Sequence, residues 1–256
     1  MANLKEIRGR IGSVRQTLKI TSAMRLISAA KLRSAQNAIS NMVSYEESLK
    51  DIFAKLSACK GASKAVAAFA AGAGPQTAVV LVTSNQSLCG GFNAGLVRAF
   101  AAEGFDPAST TVYAIGKFGL KAARKSGYDT VDLCKMAEKA DYDASVALSE
   151  KLSRDFLEGD IGRVVVIYSH FASASTLPVK VEDYLPLSSA VSRGDGDRDA
   201  DNSVPDSGCE GTDYLIEPSP AEFLELLLPK VLRLAFHTIL LDAQAAEHAA
   251  RTLAMQ

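Results

Sequence analysis

The residues best suited to chemistry in this sequence are few and scattered. Cys89 stands beside Gly90 and Gly91 in the turn Leu88–Gly95. Small residues there could let the backbone approach a phosphate, and a thiolate could act as a nucleophile. Neither chemistry is completed by its neighbours. The glycines do not follow G-x-G-x-x-G, and no acidic residue follows the next strand where a ribose would be held. No His or basic residue lies close to Cys89 in sequence to lower its pKa, so a small buried residue is expected. Gly116-Lys117 lacks the upstream Gly and the following Ser or Thr of a phosphate-binding loop, and no G-x-x-x-x-G-K-[ST] occurs. His170, His237 and His248 have no metal-ligand spacing, and Glu247-His248 reads as an exposed polar pair on a helix. Cys59, Cys89, Cys134 and Cys209 form no C-x-x-C pair, which suits a reducing compartment rather than a zinc site or disulfide framework. The expectation is a chain with no catalytic, cofactor or metal site of its own, of the kind that serves as an adaptor or a mechanical part.

The elements that would carry such a part are more legible. Residues 3–57 contain no Pro, and Gly only at 9 and 12. Steps of three and four link Leu4, Ile7, Ile11, Val14, Leu18, Thr21, Arg25, Ser28, Leu32, Ala35, Ile39 and Met42 into a heptad-type seam. The spacing predicts a helix over 1–60, roughly 80 Å long at 1.5 Å per residue, too long for a compact domain to cover. Ile20, Met24 and Ile27 move the apolar stripe one residue back, the drift of a weakly supercoiled pair. Residues 75–190 predict an alternating domain. Strands are expected over 77–84, 111–115, 163–170 and 177–187, and helices over 94–103, 117–126 and 144–157, giving a mainly parallel sheet with helices on its faces. Residues 191–213, rich in Asp, Gly and Ser, predict a flexible acidic loop.

A second long helix is expected within 214–256. Ser219-Pro220-Ala221-Glu222 makes its capping box, and Pro229 should bend it. Its stripe is Leu224, Leu228, Leu232, Ala235, Ile239, Ala246, Ala249 and Leu253. The simplest assembly is an α/β protein whose terminal helices form an antiparallel coiled coil with the sheet domain between them. Leu4, Ile7, Ile11, Val14 and Leu18 would face Leu232, Ile239 and Leu253 across that seam.

Charge is balanced overall, 28 basic residues against 29 acidic, but unevenly placed. Lys5, Arg8, Arg10, Arg15, Lys19, Arg25, Lys31 and Arg33 stand against Glu6 in the first 40 residues, which predicts a basic interacting segment. Nucleic acid is not the expected partner, because interleaved aromatics and a known binding module are missing. A nucleotide-dependent enzyme on the sheet domain is weakened by the incomplete loop motifs. No apolar run approaches the roughly 20 residues of a membrane helix, and Met1–Glu6 lacks the apolar core of a signal peptide. A soluble protein is expected, working at any membrane from outside it.

Four blocks then resemble the gamma subunits of F-type ATP synthases, in order along almost the whole chain. The first is Met1–Arg8 with Ile11, Ser13-Val14, Thr17–Met24 and Ser28–Arg33. The second is Val82-Thr83-Ser84 leading into Leu88–Asn93. Tyr214–Pro220 with Leu227-Leu228-Pro229 is the third, and Ala245–Arg251 with Ala254-Met255 the fourth. The resemblance implies a Rossmann-like α/β domain between the helices and a central shaft that couples ion-driven rotation of the membrane ring to ATP synthesis or hydrolysis. It implies alpha and beta subunits, an epsilon subunit and the membrane rotor ring as partners. It also implies a peripheral position on the cytoplasmic face of a bacterial inner membrane. On that footing Lys19, Arg25, Lys31 and Arg33 are expected to face acidic loops of the beta subunits, with Ile20 and Met24 near the coupling contact. Asn85-Gln86-Ser87 stands where the family usually has Asp-Arg-Gly, and Leu241-Asp242-Ala243 where Leu-Glu-Ser is usual. The family's last helix normally runs on for many turns, so a second helix stopping at Gln256 is expected to be short.

Overall fold

The fold is seen in a computed structural model, which describes residues 4–57, 63–70, 72, 74–187 and 219–256. The expected acidic loop 191–213, with Cys209, lies outside the described residues, as does Cys59. Helix α1 spans Leu4–Ser57 without interruption, as the long run free of Pro requires. A short helix α2 (Ser63–Ala70) follows. Then come β1 (Gln76–Val82), α3 (Phe92–Ala102), β2 (Thr110–Ile115), α4 (Lys117–Lys125), β3 (Asp129–Asp132), α5 (Tyr142–Leu157), β4 (Ile161–Ser169), β5 (Val179–Leu185) and α6 (Pro220–Ala254).

The strands form one sheet in the order β3-β2-β1-β4-β5. The first four are parallel, and β5 is an antiparallel edge. Strand β1 lies at the centre, and Ala78–Leu81 are fully buried, which explains its unbroken apolar run. Alternate residues face opposite sides. Val79, Leu81, Val165 and Ile167 pack with Leu96, Phe100 and Ala123 from α3 and α4. Ala78, Val80, Val164, Val166 and Tyr168 pack with α5, α6 and the lower part of α1, including Phe53. The sheet is therefore the middle of three layers, with the two long helices joined to one face.

Antiparallel pairing of α1 with α6 is visible in the neighbours each makes. Lys31 lies close enough to Glu247 and His248 to act on both charges. Further along α1, Gln36 and Ile39 share a cleft with Ala235, Thr238 and Asp242. Further still, Leu49 and Phe53 join the core that holds Leu224 and Leu228. Among the described side chains Ser28, Ala35, Leu49 and Phe53 are the buried positions of α1, and the first two gaps are one and two whole heptads.

Three expectations need correction. Leu4, Ile7, Ile11, Val14 and Leu18 are not part of the pairing: Leu4 is 65% and Leu18 64% exposed, because α6 lies opposite only the later turns of α1. Leu253 is likewise half exposed, whereas Leu232 is buried and Ile239 packs at the edge of the core. Helix α6 is also not a helix with one stripe. Leu227, Val231, Leu234, Leu240, Leu241 and Ala243 are buried as well, since it is wedged between α1 and the sheet.

Candidate functional site

Two places in the fold bear on function, the crevice at the C-terminal edge of the sheet and the projecting part of α1. A dinucleotide fold binds its ligand in that crevice. Strand order reverses between β1 and β4, so the loops leaving them diverge and open a space between them. Here α6 lies across that space. Asp242 accepts hydrogen bonds from the Phe171 amide at 2.9 Å and from His170 Nδ1 at 2.6 Å, just beyond β4. Arg251 donates from Nη2 to the Gln86 carbonyl at 3.4 Å, in the loop after β1.

The glycine turn is tied up internally. Asn93 accepts from the Ser84 amide at 3.0 Å and donates to Ser84 Oγ at 2.7 Å and to Cys89 Sγ at 3.2 Å. Cys89 is buried, as its surroundings in sequence imply. Asn85 donates to the Cys134 carbonyl at 2.7 Å and accepts from the Lys117 amide at 3.1 Å, fastening the turn to the start of α4. Burial, then Asp132, pushes the Cys134 thiol up to about 11, which keeps it protonated and unreactive. The polar side chains of this turn thus build its shape, and its Gln86 carbonyl holds Arg251 of α6.

Glu247 and Arg251 correct the reading of an exposed pair at 247–248. Their side chains meet at 2.7 Å and are only 10% and 6% exposed. Burial raises the Glu247 carboxyl against the pull of Arg251 and Lys31. His248 is half-buried and is pulled down to about 4 by burial, Arg251 and Lys31. A cleft of about 600 Å³ opens between α1, α6 and the β4–β5 edge. Its carboxylates are engaged: Glu182 by Tyr168 and Lys180, Asp183 by Arg163, Asp242 by His170. Among the described residues no group of His, Cys, Asp and Glu is arranged to hold a metal. No described helix is long and apolar enough to cross a membrane.

The projecting part of α1 carries the residues expected to contact partners. Lys19, Ile20, Arg25, Lys31 and Arg33 are exposed, and Met24 is half-buried. They do not share one face. At about 100° per residue, Arg25 and Lys31 lie some 60° to either side of the buried Ser28, while Lys19 and Arg33 lie on the far side. Arg10 comes round to the Ser28 side and pairs with Glu6 at 2.6 Å. Positive charge therefore encircles the shaft. Lys31 differs from the rest in having Glu247 of its own chain nearby. The expectation from sequence did not foresee the two polar attachments of α6, because Asp242, His170, Arg251 and Gln86 are brought together only by the long-range topology.

The comparisons with known proteins agree with this geometry. A family model described as ATP synthase matches residues 3–256. The ATP synthase gamma chain of Phocaeicola vulgatus is 38% identical over 263 residues, spanning 100% of this chain and 87% of the relative. That of Flavobacterium psychrophilum is 34% identical over 257 residues, spanning 100% and 85%. Among solved structures, the central stalk and c-ring of the Tetrahymena thermophila mitochondrial ATP synthase aligns with a TM-score of 0.62. Identity there is 19%, with 92% of this chain and 97% of the other covered. The rotor of the Euglena gracilis mitochondrial ATP synthase aligns at 0.61 and 17% identity, covering 97% and 87%. A paired-helix stalk with a mainly parallel sheet at its side, matched to gamma chains along its whole length, means that the chain belongs to the gamma-chain family of F-type ATP synthase.

Proposed function

We propose that this chain is the rotor shaft that couples ion-driven turning of a membrane ring to ATP synthesis or hydrolysis on the beta subunits. The observation that carries the proposal is the projecting part of α1, where basic residues stand on every side of an exposed helix. A shaft that turns past three equivalent partners must be attracted to all of them and trapped by none. Charge present on every side of an axis draws acidic loops inward whichever face meets them. Deep interlocking contacts would trap the shaft, and Thr21, Ser22 and Ala29 keep this surface shallow.

On this reading Lys19, Ile20, Met24, Arg25, Lys31 and Arg33 contact the beta subunits. The solved relatives are a central stalk with its c-ring and a rotor. On the same reading, which those two folds support only in outline, the sheet domain faces the membrane ring and an epsilon subunit, peripheral to the cytoplasmic face of a bacterial membrane. The test is charge reversal at Lys19 and Arg33, the two sites on the far side of α1 from the buried Ser28, so that the chain's own packing is spared. In the reconstituted complex Lys19→Glu with Arg33→Glu should reduce coupled synthesis at least tenfold. Unaltered synthesis and torque would overturn the proposal.

A further inference from the structure

Across the C-terminal edge of the sheet, α6 is held by two polar clasps. One is Asp242, which takes the Phe171 amide at 2.9 Å and His170 Nδ1 at 2.6 Å. The other is Arg251, whose Nη2 reaches the Gln86 carbonyl at 3.4 Å while Glu247 holds it at 2.7 Å. Asp242 and Arg251 are nine residues apart, which on a helix means opposite sides and about 14 Å along the axis. The loop after β4 thus grips α6 from one side, and the loop after β1 from the other.

Between the clasps small side chains dominate the buried surface, Glu247 and His248 aside. Ala243, Ala245, Ala246, Ala249 and Ala250 are all buried. Small side chains give close approach but few knobs to index rotation, since apolar attraction has no preferred direction. Hydrogen bonds to charged groups are directional and among the stronger ones. We infer that the two clasps fix the rotational register of α6 on the sheet, so that Asp242 and Arg251 are the positioning residues through which the sheet domain turns the shaft. The role in turning rests on the shaft reading above, whereas the clasps themselves do not.

Hydrogen exchange on the full chain tests the clasps directly. In Asp242→Ala the Phe171 amide loses its acceptor and should exchange at least tenfold faster, with the β4 amides unchanged. Asp242→Asn keeps an acceptor oxygen and should hold the rate near wild type, which separates loss of the bond from loss of folding. For the second clasp, Glu247→Gln with Arg251→Gln avoids stranding a buried carboxylate, and should speed exchange across residues 86–92. An unaltered Phe171 rate in Asp242→Ala overturns the inference. In the assembled complex the triple variant Asp242→Ala, Glu247→Gln, Arg251→Gln should still hydrolyse ATP but move less than half as many ions per ATP. Pumping per ATP equal to wild type overturns the role in turning. If the wild-type chain itself fails to join alpha and beta subunits, the shaft reading falls while the exchange result still decides on the clasps.

Discussion

At His248, burial together with Arg251 and Lys31 pulls the imidazole pKa down to about 4 from an ordinary 6.5. His237, buried against Tyr142 and bonded to Ser145 at 2.9 Å, is lowered by burial too. The folded chain therefore favours the neutral rings. Stability from this source is complete above about 6.5 and is lost as pH falls through the folded value, since the unfolded chain then binds more protons. For His248, which keeps some contact with solvent, the loss between pH 6.5 and 4 should be about 1–2 kcal/mol after screening. Thermal melts of wild type and His248→Gln across that range check it. The variant should lose less stability on acidification, and parallel curves would contradict the assignment. Single-residue environments were the least legible part of the sequence. Cys89 could be placed in the interior because no base lay near it, but Glu247 looked like an ordinary charge on a helix surface. Its partner Arg251 also reaches the Gln86 carbonyl, and the Lys31 charge acts on it, both from far away along the chain.

Elements were read more easily where one local pattern decided them. The apolar runs of β1, β2 and β4, the Ser219 cap and the length of α1 follow from local composition, and Ser219 Oγ does accept from the Glu222 amide at 3.3 Å. Helix α6 also passes through Pro229 without a break in its assignment. Strand β3 was missed because Asp129-Thr130-Val131-Asp132 has a single strongly apolar residue, as a polar edge strand often does. Helix α2 was missed because eight Ala-rich residues carry little periodicity, and tertiary contacts such as Phe69 stacked on Phe156 at 6.3 Å locate it. Glycine shows how differently elements respond to one substitution. Gly116 has φ +110°, and a Cβ there would meet the Thr83 carbonyl oxygen at 2.2 Å. Gly116→Ala should cost about 3 kcal/mol or more, read as a fall in the midpoint of denaturant unfolding. Gly9 and Gly12 have nothing within 4 Å of such a Cβ. Gly12→Ala should strengthen α1 locally by about 0.5–1 kcal/mol. It should raise the far-ultraviolet helix signal slightly and leave the unfolding midpoint of the core unchanged.

At the scale of the whole molecule, α1 belongs to two regimes. From Thr21 onward its inner face becomes buried and packs on α6 and the sheet; before that, residues 4–20 run for about five turns with every side chain exposed. The seam pattern is continuous across both, so sequence alone could not tell where pairing begins: that depends on where α6 lies. Most helical stability in proteins comes from tertiary packing, and isolated helices of this length are marginal in water. The two halves should therefore respond oppositely to the same kind of substitution. Leu232→Ala, in the packed part, should cost about 2–5 kcal/mol of the isolated chain's stability. Ile11→Ser, in the projecting part, should change it by no more than about 0.5 kcal/mol, because the side chain is already in water. In a complex that encloses the projecting half, the order should reverse for assembly: Ile11→Ser should weaken incorporation into the complex although the isolated chain is intact. Unfolding of each purified variant, followed by its recovery in reconstituted complexes, gives both readings. Hydrogen exchange of the wild type adds the third, with amides of 4–20 fast in the free chain and slowed at least tenfold after assembly. Equal protection before and after assembly would mean that the projecting half stands alone, and that its exposed seam meets no partner.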